Sequence, residues 1–462
     1  MYRTRAKKKG GIGDMEHPRK GFRVSFIALI TLLILKSLAA SEKIDVGYRD
    51  VSYPEDTGSN SRPTGEKPES KLWCHDGVWW GVLWSTPGDA YHIYRLDRTT
   101  QDWLDTGTVV DTRTKSRVDV GWDGTHLYVA SHIFAGIGAP VTKDSDRGRL
   151  YRFTYNEGTQ SYTLDAGFPV LVTGGKSETL VLAKDSAGTL WVTYVESNQV
   201  MVNHSLNGDD RTWATPFVLP GSQPLEFPAS EDGTDDIASI IAYDGHVGVM
   251  WSRQTFNNSV KNEHLASITM NFAVHDDGAD PSAWSSDAIY TSSGDDHISL
   301  KAFDGYVYAA FKQDGTAKQI GLLACATASS GCRKKADWKH YPVYKTKDNS
   351  GNSPEAGLLR LSQGNPTRPT LLIDAENRDL YVVVTMEQFE TFAIYYKKTN
   401  LDAISFDPKD LGVPFIKSAT DLLINNPTST KQNLNSSTGL VVLASDEESC
   451  RYFHNDLALA KP

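Results

Sequence analysis

Very little in this sequence repeats with the 3.6-residue period of an amphipathic helix, so an all-α or a helix-flanked parallel-sheet fold is excluded early. There is no P-loop, no dinucleotide fingerprint, no zinc-ligand spacing and no nucleophile elbow. Long apolar runs are also missing. The longest, Val24 to Leu35, covers about 12 residues before Lys36 interrupts it, and a bilayer span needs roughly 20. Basic residues are outnumbered, with 47 Lys and Arg against 57 Asp and Glu. An acidic surface repels phosphate backbones, so nucleic acid is not an expected partner. Cysteine is scarce at four, too few for a disulfide-built scaffold.

What is present is aromatic and β-prone. The 11 Trp, 20 Tyr and 16 Phe suit sheets packed face to face. Eight Lys and Arg with two acids occupy residues 1–23, then the apolar run, then Ser37-Leu38-Ala39-Ala40. This is the layout of a signal peptide cleaved near Ala39 or Ala40. An uncleaved membrane anchor is the alternative for residues 1–40, and Met15 is an alternative start. Export is expected, to the extracellular space or a periplasm. In such a compartment the four cysteines should pair. Cys325 and Cys332 flank the turn-rich Ala328-Ser329-Ser330-Gly331, and Cys74 is then left for Cys450.

One segment keeps returning: an alternating strand, a tight Asp-Gly-like turn, then a strongly apolar strand. The copies centre on Asp76-Gly77, Asp123-Gly124, Asp185 to Gly188, Asp244-Gly245, Asp304-Gly305, Asp374 to Asp379 and Ser437-Thr438-Gly439. The spacing averages about 60 residues, and each unit continues with a third strand and a Trp- or Phe-bearing outer strand. Seven such units predict an all-β, seven-bladed β-propeller of four-stranded antiparallel blades over residues 70–462. The last unit lacks an outer strand. The alternating stretch Lys43 to Tyr53 is expected to fill it, with 41–69 as closing strand and linker, and a Cys74–Cys450 bridge across the seam.

The turns that carry tryptophan, above all Ser205-Leu206-Asn207-Gly208-Asp209-Asp210-Arg211-Thr212-Trp213, resemble the Asp-box of sialidase-like, or BNR-repeat, propellers. The resemblance covers about residues 70–460 and implies a carbohydrate-active or glycan-binding propeller. The chain shows no Phe-Arg-Ile-Pro segment and no recognisable arginine triad, so sialidase activity itself is not implied.

In a propeller the inner strand of each blade lines the channel, and the residues just before it form a mouth. The candidates there are Lys115, Arg117, Glu178, Arg368 and Lys431 as substrate-binding groups. Gly233-Thr234-Asp235-Asp236 and Gly294-Asp295-Asp296-His297 echo one another in adjacent units. Close carboxylates push their pKa values apart, which makes Asp236 and Asp296 an acid–base pair with His297 as a base. Asp235 and Asp295 suit a hard cation such as Ca²⁺, the one cofactor the pattern suggests. The plainer reading is that each pair opens a strand by accepting backbone N–H groups. Trp79, Trp80 and Trp84 read as inter-blade core, and His75 as packing. The expected partner is an extracellular glycan or a cell-surface protein, with membrane contact only through an uncleaved N-terminal segment. The function read from this is a glycoside hydrolase or polysaccharide lyase acting in the channel; the alternative is a non-catalytic surface propeller.

Overall fold

The computed structural model describes residues 41–462, apart from 56–62, 66–67, 136–138, 142, 223–236, 254–268, 292–293, 295–296, 314–318, 348–358 and 361–363. Seven antiparallel sheets follow one another along the chain as blades. Blade 1 is Leu72–His75, Val78–Ser85, Ala90–Asp97 and Asp102–Asp111, paired in that order from the axis outward. The inner strands of blades 2 to 7 are Ser116–Trp122, Leu180–Lys184, Ala238–Tyr243, Ile298–Phe303, Asn365–Asp374 and Ile424–Thr428.

The turn chemistry explains the hairpins. Asp76/Gly77, Asp244/Gly245 and Asp304/Gly305 all have positive φ at both positions, the requirement of a type I′ turn that twists with its strands. Second strands such as Val78–Ser85 and Leu440–Asp446 are almost wholly buried, because each sheet is sandwiched between its neighbours. Trp79, Trp80 and Trp84 are at most 1% exposed. Close packing leaves no room at some positions: a Cβ on Gly248 would stand 2.2 Å from the Phe272 ring.

Blade 7 is completed by the N-terminal strand, as expected. Tyr48–Ser52 pairs antiparallel with Arg451–Leu457, the third strand of a sheet that begins at Ile424. The Asp50 carboxylate accepts from Ser41 Oγ and lies 2.8 Å from His454 Nδ1, both Asp50 and His454 being buried. Tyr53 donates to the Asp446 carbonyl at 2.7 Å.

The cysteines divide. Cys325 and Cys332 form the expected disulfide, with Cα atoms 5.8 Å apart. Cys74 and Cys450 are free thiols, which corrects the predicted seam bridge. Cys74 ends an inner strand beside the Asp76-Gly77 turn, whereas Cys450 lies in the turn after the second strand of blade 7. Those turns are at opposite ends of a blade, too far apart for a bond that needs Cα atoms within about 7 Å. Hydrogen bonds close the seam instead. Gln432 bonds the Cys74 N–H and carbonyl at 2.8 and 2.9 Å, and Trp79 Nε1 donates to the Thr438 carbonyl.

Candidate axial site

The seven inner strands enclose a cavity of about 540 Å³ on the ring axis, walled by Ser70, Trp122, Lys184, Ser239, Lys301, Thr370 and Lys431, one from each blade, among others. Inner strands run from the mouth, where the long connections join, toward the Asp-Gly turns. The lower wall is aromatic. Trp122 is half-buried, its ring 4.2 Å from that of His75, which in turn meets Tyr155 edge-on. Beside it Asp123 and Lys184 pair at 2.6 Å, and the Lys184 ammonium also sits 5.0 Å over the Tyr128 ring. Against the effect of burial, backbone N–H groups of His126 and Thr125 with Lys184 hold the Asp123 carboxyl below its usual range.

Two lysines cross the channel. Lys431 of blade 7 reaches past blade 1 to the Asp119 carboxylate and the Leu182 carbonyl. Asp119 also accepts the Ser70 and Leu182 N–H groups, both at 2.8 Å, yet burial pushes its carboxyl upward, with Lys431 opposing. Lys301 of blade 5 reaches past blade 6 and donates to the carbonyls of Thr430 at 2.7 Å and Gln432 at 3.1 Å. It is 4% exposed, and burial first, then the charge of Lys431, brings its ammonium down to about 7.

Above the cavity lies a layer of buried ionisable groups. Glu69 is held by Lys71 Nζ at 2.6 Å, His132 Nε2 at 2.7 Å and the Leu180 N–H at 3.0 Å, and its own carbonyl accepts from Thr428. Burial acts to raise this carboxyl, but Lys71 and His132 outweigh it and the group sits low. The Glu69 side chain thus ties blades 1, 2 and 3 together, and its backbone carbonyl adds blade 7. His132 faces this network rather than open channel.

The sequence candidates scatter over these levels. His297 is 4% exposed, its Nε2 3.4 Å from Thr367 Oγ1, with Arg368 next along the chain. It precedes Ser299 of the cavity wall by two residues, roughly 7 Å up the axis. Arg117 is 1% exposed, stacked on Phe134 and bonded to the Ser116 carbonyl. Glu178 is buried and Lys115 exposed. Lys431 lies on the cavity wall, not at the mouth, because the inner strand of blade 7 starts at Ile424. Likewise Thr367 and Arg368 lie within their inner strand, at a bulge. Asp235, Asp236, Asp295 and Asp296 fall outside the described residues. Among the described residues, no group of three or more His, Cys, Asp or Glu side chains could hold a metal.

Sequence reading passed over Trp122, Asp119 and Lys301, although a signal for the last was present. Three residues ahead of the turn aspartate the repeats carry Trp73, Val120, Ile241 and Lys301. A lysine in an apolar column marks a position whose surroundings differ from those of its counterparts.

No protein-family model matches the sequence. No curated protein matches it either. Solved structures with related chain paths include a polysaccharide lyase, Uly1, at 10% identity and TM-score 0.46, covering 91% of this chain and 94% of that one. Another is the periplasmic gluconolactonase PpgL of Pseudomonas aeruginosa, at 13% and 0.42, covering 90% and 96%. A subtype N11 neuraminidase-like protein of A/flat-faced bat/Peru/033/2010 (H18N11) matches at 9% and 0.38, covering 74% and 86%. Similarity at this level says nothing about chemistry.

Proposed function

We propose that this propeller holds a glycan in its axial cavity and is a carbohydrate-active protein of an exported compartment. The observation that carries the reading is the composition of the wall. A half-exposed indole, Trp122, stands among the hydroxyls of Ser239, Ser299 and Thr370, the amide of Gln432 and the three amino groups of Lys184, Lys301 and Lys431. A sugar ring offers an apolar C–H face and a rim of hydroxyls, so it needs a flat aromatic surface surrounded by donors and acceptors. The volume falls within the roughly 300–1,000 Å³ of ligand pockets. The buried Cys325–Cys332 disulfide supports an oxidising compartment, and the Asp209 to Trp213 turn, where Trp213 Nε1 caps the Asp210 carbonyl at 2.8 Å, supports a distant place among sialidase-like propellers.

Turnover, as hydrolysis or elimination, is assigned to the mouth, with Asp236 and Asp296 as the acid–base pair and His297 as a base, and Ca²⁺ at Asp235 and Asp295. Non-catalytic binding is the second reading. It is favoured by the engagement of the cavity's carboxylates: Glu69 with Lys71 and His132, Asp123 with Lys184, and Asp185 with Trp191 Nε1 and the Thr189 N–H. A panel of polysaccharides, followed by reducing ends and unsaturated-product absorbance together, separates the two. Asp296→Asn and His297→Ala should each lower turnover about 100-fold or more, with binding retained. Binding without turnover in the wild type selects the second reading, and absence of any glycan binding sinks both.

A further inference from the structure

We propose that the axial cavity selects a glycan bearing an acid group, a carboxylate or a sulfate ester on the ring, and that Lys301 receives that group. The inference rests on the glycan reading above and names the class of sugar.

Lys301 carries three N–H donors. Two are spent on the carbonyls of Thr430 and Gln432; the third has no acceptor among the described residues. The other lysines of the wall are neutralised, Lys184 by Asp123 and Lys431 by Asp119. Lys301 has no carboxylate within ion-pair distance among the described residues. A cation buried without a counter-ion is costly unless something else supplies the negative charge. Replacing it by an apolar residue would restore the column formed by Trp73, Val120 and Ile241. An anion entering the cavity supplies the missing charge and the missing acceptor together, as a charge-assisted hydrogen bond in a site removed from water.

The remaining wall says why the anion belongs to a sugar. The same cavity holds the Trp122 face and the hydroxyl and amide donors, which a bare anion would leave unused. The long-range field points the same way: residues 41–462 carry a formal charge of −17, with 38 bases against 55 acids, so an uncompensated cation on the axis is a local reversal of sign.

Protonation of Lys301 then governs affinity. The charge that acts on it is Lys431 of blade 7; the other charged groups on the cavity wall are Asp123 on blade 2, Lys184 and Asp185 on blade 3 and Glu69 on blade 1, with His297 ahead on its own strand. Empty, the ammonium loses its proton near 7. Affinity for an acidic sugar should therefore fall about tenfold or more between pH 6 and pH 8.5, because only the protonated fraction is competent. Affinity for a neutral sugar should not change.

The experiment titrates full-length mature protein with D-glucuronate, glucose 6-sulfate, D-glucose and inorganic sulfate by calorimetry and tryptophan fluorescence. It is repeated with Lys301→Met and Lys301→Arg, checked for native near-ultraviolet circular dichroism. Glucuronate or glucose 6-sulfate bound at least tenfold more tightly than glucose, with the preference lost in Lys301→Met and retained in part in Lys301→Arg, supports the proposal. Whichever of the two acids binds tighter identifies the source of the charge. Equal binding of glucose and the acids, unaltered by Lys301→Met, overturns the acid selectivity and leaves the glycan reading standing. Binding of inorganic sulfate alone, lost in Lys301→Met, overturns the sugar and leaves an anion site. No binding of any of the four overturns both. If Lys301→Met does not fold, the pH series on the wild type decides: a flat profile for the acidic sugars overturns the role of Lys301.

Discussion

Lys301 affects stability as well as recognition. The unfolded chain holds the lysine proton with an ordinary affinity, near 10.5, while the folded cavity releases it near 7. Between those values the unfolded state binds more protons, so stability rises with pH; the contribution is complete above about 10.5 and is lost as pH falls through about 7. Lys397, brought down to about 8 chiefly by burial, adds to the same trend. Lys301→Met should therefore melt above the wild type at pH 6, by an amount on the order of 2–4 kcal/mol, and the advantage should shrink toward pH 10. Thermal unfolding across that range checks it, and a gap that widens with pH would reverse the argument. Trp122→Ala should weaken glycan binding about tenfold with little change in melting, since the ring is half-exposed. At this scale the sequence was a partial guide. It marked His297 because a residue of this kind just before a strand is visible in one dimension, and it marked Arg368 on the same ground although that residue lies within its strand, at a bulge. It marked Lys431 but passed over Asp119, the partner 312 positions away that holds it, and over Glu69, whose side-chain partners include residues of blades 2 and 3.

Hairpins were the most legible elements, since Asp-Gly at a tip and alternation on either side are both local. The inner strand of blade 7 was not, because Ile424-Asn425-Asn426-Pro427-Thr428 neither alternates nor ends in an Asp-Gly turn, and its pairing slips between Asn425 and Thr428. That hidden strand is why Lys431 read as a mouth residue. The cysteine pairing failed at the same scale: adjacency of first and last blades was right, but the end of the blade at which each thiol sits was not considered. Cys74, pushed up to about 11 by burial, should accordingly be slow to alkylate in the native protein. Opening the Cys325–Cys332 loop by Cys325→Ser with Cys332→Ser should cost about 2–3 kcal/mol by chain entropy, measurable by denaturant titration. Gly248→Ala should cost about 1–3 kcal/mol through its clash with Phe272; an unchanged midpoint would show that the ring can move aside.

For the whole molecule, the ring depends on a strand borrowed from the other end of the chain. Removing residues 41–53 exposes the edge of Arg451–Leu457 and takes away the Asp50 partner of the buried His454. The truncated protein should self-associate through that edge, seen as dimers or larger species in light scattering; a stable monomer would argue against the strand as the closure. Seven repeats made this architecture readable, and the vacancy in the last unit foretold its occupant.

The same borrowed strand fixes an order of events. Tyr48–Ser52 leaves the ribosome some 400 residues before the segment it pairs with, so a strand made ahead of all seven inner strands is among the last to find its place, and closing so long a loop is slow. Until then both rims of the nascent arc stay unpaired. A chain of this design is best completed after release from the ribosome, and its yield should depend on whatever shields that waiting strand until then.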